Sequence, residues 1–282
     1  MKLGLIHQAT RPDNYQAYWE WVIRQAYPQH SIVLCMEQVG PHQFKPMQKP
    51  DCDVYVRLDD SFDFPFPATW RPLIYMLEDM HVPDGVDRIK QAKAADFVFC
   101  HQKNVVELLT GEHNLTRVEW LPHAAFFYPS ANKQRDIDVA SVLTTSLNPL
   151  FAERTWMAHL LSRRYGKNSA IGAGYIHENM AGIYSRAKVA WNKSLAGDLN
   201  MRVFEAAAAG AALVADSAEG QSELFGDAIL IYKTVQEMTD RIDHLLKNPA
   251  EARQRGSRLA NIAHNHSYEK RLQRVFEVAE EL

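Results

Sequence analysis

Between Tyr184 and Leu230 the chain runs strand, polar loop, helix, glycine stop, strand, polar loop, helix, strand, and few folds accept that order. Residues 187–191 form a short apolar run suited to a buried strand, and the loop behind it carries Asn192, Lys193, Ser194, Asp198 and Asn200. Asn200 is placed to cap a helix whose first turn holds Arg202 and whose body, Ala206 to Ala209, is made of the strongest helix former. Gly210 ends that helix, and residues 211–215 read as the next parallel strand. In an open parallel sheet, ligands lie at the carboxyl ends of the strands, where helix N-termini turn free N–H groups toward an anion. The polar residues of this stretch gather at that end, so the pattern predicts a ligand that carries phosphate.

The rest of the chain repeats the alternation. Strands are predicted at 3–7, 32–36, 54–58, 73–77, 97–100 and 118–121, and helices at 15–26, 89–95 and 104–109. Prolines and polar residues mark 40–50 and 59–72 as irregular loops. Residues 122–138, polar after Pro129, read as a linker. A second α/β series then opens with a strand at 139–143, a helix at 151–164, a short strand at 170–172 and a helix at 177–186. From Val235 onward the pattern is helical, broken at Asn248-Pro249 and again near His266. Alternation of this kind predicts parallel α/β sheets.

Composition narrows the function classes. With 46% apolar and 23% charged residues over 282 positions, the chain can bury two ordinary cores. A net charge of −3 gives no whole-molecule field that would attract nucleic acid. No apolar run reaches the roughly 20 residues of a membrane span, and the opening MKLGLIHQATRPD turns polar too soon for a signal peptide. Cys35, Cys52 and Cys100 are odd in number and sit in or beside strand-like runs, as buried thiols in a reducing cytoplasm would.

The residues also resemble a known family. Asn200-Met201-Arg202-Val203-Phe204-Glu205-Ala206, then Gly210, Asp216 and Glu223-Leu224-Phe225, look like the donor-binding segment of GT-B glycosyltransferases, and more narrowly of the group-1, CgeB-type (spore-maturation-like) proteins. The stretch from Glu178 to Asn192, the Asn248-Pro249 helix start and the terminal run His266-Ser267-Tyr268-Glu269-Lys270-Arg271 are similar to the same family. The resemblance covers about the last half of the chain. It implies two Rossmann-like domains with parallel sheets facing across a cleft: 1–129 on the acceptor side, 130–265 holding a nucleotide-sugar, and a terminal helix, 266–282, crossing back to the first domain. It also implies transfer of a sugar from a nucleoside-diphosphate sugar to an acceptor hydroxyl, with no metal or other cofactor.

On the donor side, a departing diphosphate needs hydrogen-bond donors and fixed cations where its charge grows. The helix beginning at Asn200 supplies a dipole, Arg202 or Lys193 a cation, and Thr144, Thr145 and Ser146 further donors after the strand. Asn192 closes a strand at the same end, while Glu219, Gly220, Gln221 and Ser222 open the following helix within reach of sugar or phosphate. Glu205 corresponds, by resemblance, to the carboxylate that takes the ribose hydroxyls. Arg202 and Glu205, three apart, are equally spaced to pair with each other on a helix face. Many retaining relatives place a second Glu eight residues earlier; here that position is Gly197, followed by Asp198.

Acceptor-side candidates are polar groups that close strands: His7, Glu78, Asp79 with His81 just beyond, and His101. His7 or Asp79 would serve as the base that takes the acceptor proton. His123 lies in the hinge-like LPHAAFFYP. Asp51-Cys52-Asp53 and Asp136-Ile137-Asp138 both spell D-x-D, but each precedes its strand and so points to the wrong end of the sheet for a metal. The histidines show no H-E-x-x-H spacing, and no P-loop or strand-linked dinucleotide fingerprint is present. Rival readings are a sugar-nucleotide epimerase or hydrolase, a silent sugar-nucleotide-binding module, and transfer to a macromolecule such as modified DNA.

Overall fold

The computed structural model describes residues 1–7, 15–40, 43–60, 68–127, 134–146 and 148–282. Most of the expected linker core, 128–133, and part of the expected 59–72 loop, 61–67, lie outside these residues. The chain divides into two compact units, Met1–Pro122 with Tyr268–Leu282, and His123–Ser267.

In the first unit the elements run β1 (Lys2–Ile6), α1 (Tyr15–Ala26), β2 (Ser31–Leu34), β3 (Met36–Gly40), β4 (Gln43–Pro46), β5 (Val54–Leu58), β6 (Leu73–Leu77), α2 (Arg88–Ala94), β7 (Phe97–Cys100), α3 (Lys103–Gly111) and β8 (Val118–Trp120). Six strands form one parallel sheet in the order β2-β1-β5-β6-β7-β8. Strands β5 and β6 are buried along their whole length, as parallel strands covered on both faces must be. The expected 40–50 loop is instead partly ordered: β3 and β4 pair as an antiparallel ribbon. A two-stranded ribbon has no long apolar run, so the sequence pattern does not announce it.

The second unit continues with β9 (Ile137–Val142), α4 (Ala152–Tyr165), β10 (Ser169–Gly172), α5 (His177–Arg186), β11 (Ala187–Asn192), α6 (Met201–Ala208), β12 (Ala212–Asp216), α7 (Gln221–Phe225), β13 (Leu230–Tyr232), α8 (Val235–Lys247) and α9 (Pro249–His264). Its five strands are also parallel, ordered β10-β9-β11-β12-β13. Val139, Val189, Trp191, Ala212 and Val214 form its core together with Met157 and Leu161 of α4 and Ile242 and Leu245 of α8. In both sheets the strand order reverses, between β1 and β5 and between β9 and β11. Such switch points open the crevices in which doubly wound sheets hold ligands.

One arginine holds the ends of two helices in the second unit. Arg135 donates from Nη1 to the Tyr184 and Ala187 carbonyls, and from Nη2 to the Ala209 and Gly210 carbonyls at 3.1 and 2.5 Å. A cation at the C-terminal ends of α5 and α6 satisfies orphan carbonyls and opposes the negative end of each dipole. The positive end of α6 lies at the carboxyl side of the sheet because the helix connects the parallel strands β11 and β12.

The two D-x-D runs are structural. Asp53 accepts from the Lys2 backbone N–H at 2.6 Å, Asp136 pairs with Arg186, and Asp138 pairs with Lys188 at 2.6 Å. Asp138 lies inside β9 rather than ahead of it, a correction to the expected boundary, and still far from the carboxyl end of the strand. Among the described residues no group of three or more His, Cys, Asp or Glu is placed to hold a metal ion. Cys35 and Cys100 are buried, and burial pushes both thiols up to about 12; Cys52 is only half-buried.

The last helix, α10 (Tyr268–Glu281), belongs to the first unit and packs on α1, where Tyr18 stacks on Tyr268 at 5.5 Å. Its Arg271 donates from Nε to the Pro122 carbonyl at 2.9 Å. Close by, the buried His101 ring donates from Nδ1 to the Leu121 carbonyl at 2.6 Å. Burial drives its pKa down to about 4, helped by Arg271 and opposed by the Leu121 bond. The unfolded value is about 6.5, so between pH 6.5 and 4 the unfolded chain binds a proton that the folded one refuses. Stability should therefore fall with pH across that window, by roughly 3 kcal/mol from this residue. Urea midpoints measured from pH 7 to 4 check this: His101→Asn, whose amide nitrogen can reach the same carbonyl, should flatten the slope.

Candidate active site

The carboxyl ends of β9 and β11 gather most of the expected donor-side residues around one small region of the second unit. Asn200 is the N-cap of α6, its Oδ1 accepting from the Arg202 backbone N–H at 3.2 Å. Arg202 follows in the first turn and donates from Nε to the Val142 carbonyl, the last of β9, at 2.9 Å. That bond ties the guanidinium to the end of the neighbouring strand. The Val142 N–H in turn donates to the Tyr184 hydroxyl at 3.0 Å. Glu205 is buried near that hydroxyl: after burial itself, its charge is the largest cause raising the Tyr184 pKa.

Lys193 follows the last residue of β11 and reaches two carboxylates, Asp216 and Glu153, each at 3.2 Å. Asp216 closes β12 and is fixed by Ser194, whose N–H donates to Oδ1 at 2.8 Å and whose hydroxyl donates to Oδ2 at 2.6 Å. The loop between β11 and α6 is therefore tied to the neighbouring strand at its first two residues. At its far side it turns tightly, with Ala196 at φ +49°, Gly197 at φ +80° and the Asp198 N–H donating to the Leu195 carbonyl at 3.0 Å. Two successive left-handed residues suit a primed turn, and the second favours glycine. This gives a backbone reason for finding no glutamate at 197.

The strongest feature here is a residue the sequence reading passed over. Arg154, in the first turn of α4, is 6% exposed, yet among the described residues it makes no hydrogen bond or ion pair; its guanidinium lies over the Phe151 ring at 5.0 Å. Its pKa is lowered to about 10 by burial and by the positive charge of Arg202, with Asp216 pulling it back. The two guanidiniums are near enough for one charge to act on the other, and among the described residues no carboxylate is bonded to either. A signal was present in the sequence: Arg154 is three, four and seven residues before Met157, Ala158 and Leu161, all buried, so it lies on the apolar face of the helix.

Other expected residues are placed as follows. Thr144 and Thr145 are exposed on the loop after β9. Ser146 is held in that loop, its hydroxyl accepting from the Asn148 N–H at 3.2 Å and its N–H donating to the Thr155 hydroxyl at 3.1 Å. Asn192 is buried, with its carbonyl accepting from the Tyr232 hydroxyl at 3.3 Å. Gln221, 2% exposed, opens α7 with a side-chain amide that has no partner among the described residues, and Ser222 beside it is exposed.

In the first unit, His7 follows β1, but its side chain is only 1% exposed, with Nε2 4.0 Å from Glu20 of α1. In this position the ring lies beside a partly exposed carboxylate of α1. Asp79 follows β6 at the carboxyl end of the sheet, half-buried, with φ +50°. A non-glycine residue in that region stores strain of order 1 kcal/mol and is found most often at functional sites. Nearby, Asp59 accepts from the Glu78 N–H at 3.2 Å and from Arg88 at 2.6 Å; Arg88 also pairs with Asp84, and Arg57 with Asp60.

Comparison with known proteins sharpens this picture. Residues 133–277 match the model of a family described as glycosyl transferase-like. No curated protein matches the sequence. Among solved structures, sucrose-phosphate synthase from Thermosynechococcus elongatus is similar with a TM-score of 0.68 at 14% identity, over 99% of this chain and 98% of that one. HepE of Anabaena, in complex with UDP and glucose, gives 0.67 at 13% identity over the whole of both chains. BGT of T4 phage, in complex with its UDP-glucose substrate, gives 0.67 at 15% identity, again over the whole of both. At such identities the likeness is one of fold, and the fold is GT-B, two Rossmann-like parallel α/β units.

Proposed function

The chain belongs to the glycosyl transferase-like family, and from that premise we propose that it moves a sugar from a nucleoside-diphosphate sugar to an acceptor hydroxyl, with unit His123–Ser267 holding the donor. The observation that carries this reading is the pair Arg154 and Arg202, two neighbouring guanidiniums to which, among the described residues, no carboxylate is bonded. Burying one charge beside a like charge is costly unless an anion completes the site. A diphosphate is that anion: it brings enough negative charge for both arginines and Lys193, and its oxygens match the fork of a guanidinium.

When the glycosidic bond to the diphosphate breaks, charge grows on the leaving oxygens. Arg154, Arg202, Lys193 and the N-terminus of α6 meet that charge in place, without reorganising. Three protein cations do what a divalent metal would otherwise do, so transfer should persist in a chelator. Glu205 accepts hydrogen bonds from the ribose hydroxyls, while Asn192, Asn200, Thr144, Ser146, Gln221 and Ser222 border the donor. In unit Met1–Pro122, Asp79 is the base that takes the acceptor proton. The carboxylates of Asp59, Asp60, Glu78, Asp79 and Asp84 outnumber Arg57 and Arg88 at that sheet's carboxyl end, which favours a neutral hydroxyl acceptor over nucleic acid. The run from His266 to Arg271 supports a place near the CgeB-type branch, and three free cysteines suit a cytoplasmic protein.

UDP accompanies two of the structural neighbours, which makes UDP-sugars the first donors to try. A thermal-shift screen across UDP-, GDP-, dTDP- and ADP-sugars tests the reading. A true donor at 100 times its dissociation constant should stabilise the fold by about 2.7 kcal/mol. If none of the four nucleotide classes moves the transition, the donor assignment fails.

A further inference from the structure

Within the candidate donor site, one carboxylate stands apart from the rest. Asp216 is fixed by Ser194 through both of its oxygens, so its contact with Lys193 is part of the framework. Glu153 has no such anchorage. Its side chain is 69% exposed, and the Lys193 ammonium, 3.2 Å from Oε2, is its ion-pair partner. It sits in the first turn of α4, immediately before Arg154, yet it leaves that guanidinium unpaired and reaches for the lysine instead. A movable carboxylate therefore occupies one of the three cations that the proposed ligand would use.

We propose that Glu153 is an affinity-limiting residue of the donor site: its carboxylate pairs with Lys193 while the site is empty, and the incoming diphosphate must displace it. The inference rests on the reading that this site binds a diphosphate. Displacement has two consequences. Binding loses the free energy of the Glu153–Lys193 pair, and the returning carboxylate competes with the nucleoside diphosphate left after transfer. Glu153 thus trades affinity for faster product release, a sensible exchange where release limits turnover. If Glu153 acted only as a fixed negative charge near the site, its removal would strengthen anion binding by the same factor with or without Lys193.

Glu153→Gln, made in wild type and in a Lys193→Met background, separates the two. It keeps the side chain's size and removes its charge at an exposed position, so folding is not at stake. Calorimetric titration of the full chain at low, fixed ionic strength, first with UDP and then with inorganic pyrophosphate, should show both probes binding about three- to fivefold more tightly to the variant, the upper range for loss of one partly exposed ion pair. UDP release, followed by stopped flow, should slow by a similar factor. In a Lys193→Met background the same substitution should gain less than half as much; an equal gain there would overturn the proposal. Unchanged or weaker affinity of Glu153→Gln for both probes would overturn the proposal while leaving the donor assignment standing. Failure of wild type to bind either probe would instead remove the donor assignment and this inference with it.

Discussion

Arg154→Met is expected to lower sugar transfer about a hundredfold while leaving the ligand-free protein at least as stable as wild type. The two effects have one cause. Arg154 is buried beside Arg202 without a carboxylate of its own, so in the empty site its charge is a burden. Methionine keeps the contact with Phe151 and removes the repulsion. In the presence of donor the same charge would stabilise the leaving diphosphate, on the order of what one charge-stabilising donor contributes, about 2.7 kcal/mol. Arg202→Ala should cost a similar factor in rate but also some stability, since it releases the Val142 carbonyl. Turnover of both variants against a UDP-sugar, alongside urea unfolding, distinguishes a site arginine from a structural one. A variant at position 154 that unfolds easily but turns over normally would identify the residue as packing.

The second large effect lies away from the chemistry. Gly256→Ala on α9 is expected to destabilise the His123–Ser267 unit by about 3 kcal/mol or more, the upper range for forcing extra volume into a packed interior. A Cβ there would stand 2.1 Å from the Gly210 carbonyl oxygen and 2.9 Å from its carbon, both backbone atoms. Neither can retreat easily. Gly210 has φ +68°, and its carbonyl is held by Arg135 at 2.5 Å. The turn at Gly210 also joins α6 to β12, so relief of the clash would shift the helix that presents Arg202 and Glu205. Thermal unfolding should move down by roughly 6–12 °C, at about 2–4 °C per kcal/mol for a unit of this size. By contrast, Gly172→Ala, where a Cβ meets nothing within 4 Å, should change little.

How far the sequence could be read follows from which forces are local. The α6 region was legible because Asn200, Arg202, four alanines and Gly210 act through cap, dipole and propensity, all within one helix. Gly197 was legible as a departure from the family pattern, but only the left-handed turn at 196 and 197 explains it. His7 was legible as a strand-end group, but its burial was not, because Glu20 approaches it from a helix 13 residues on. Arg154 went unread although its spacing puts it on the apolar face of α4, because its relation to Arg202 is made by sheet topology across 48 positions. The ribbon of β3 and β4 left no periodicity to find.

The central claim is that Arg154, Arg202 and the amino end of α6 together grip a diphosphate. Calorimetric titration of UDP into wild type, Arg154→Met and Arg202→Lys, each checked for folding, tests it most directly. The expected result is one site per chain in wild type, with affinity at least tenfold weaker in either variant. Equal affinity in all three proteins would contradict the account, because the ligand would then be bound without the two guanidiniums on which it depends.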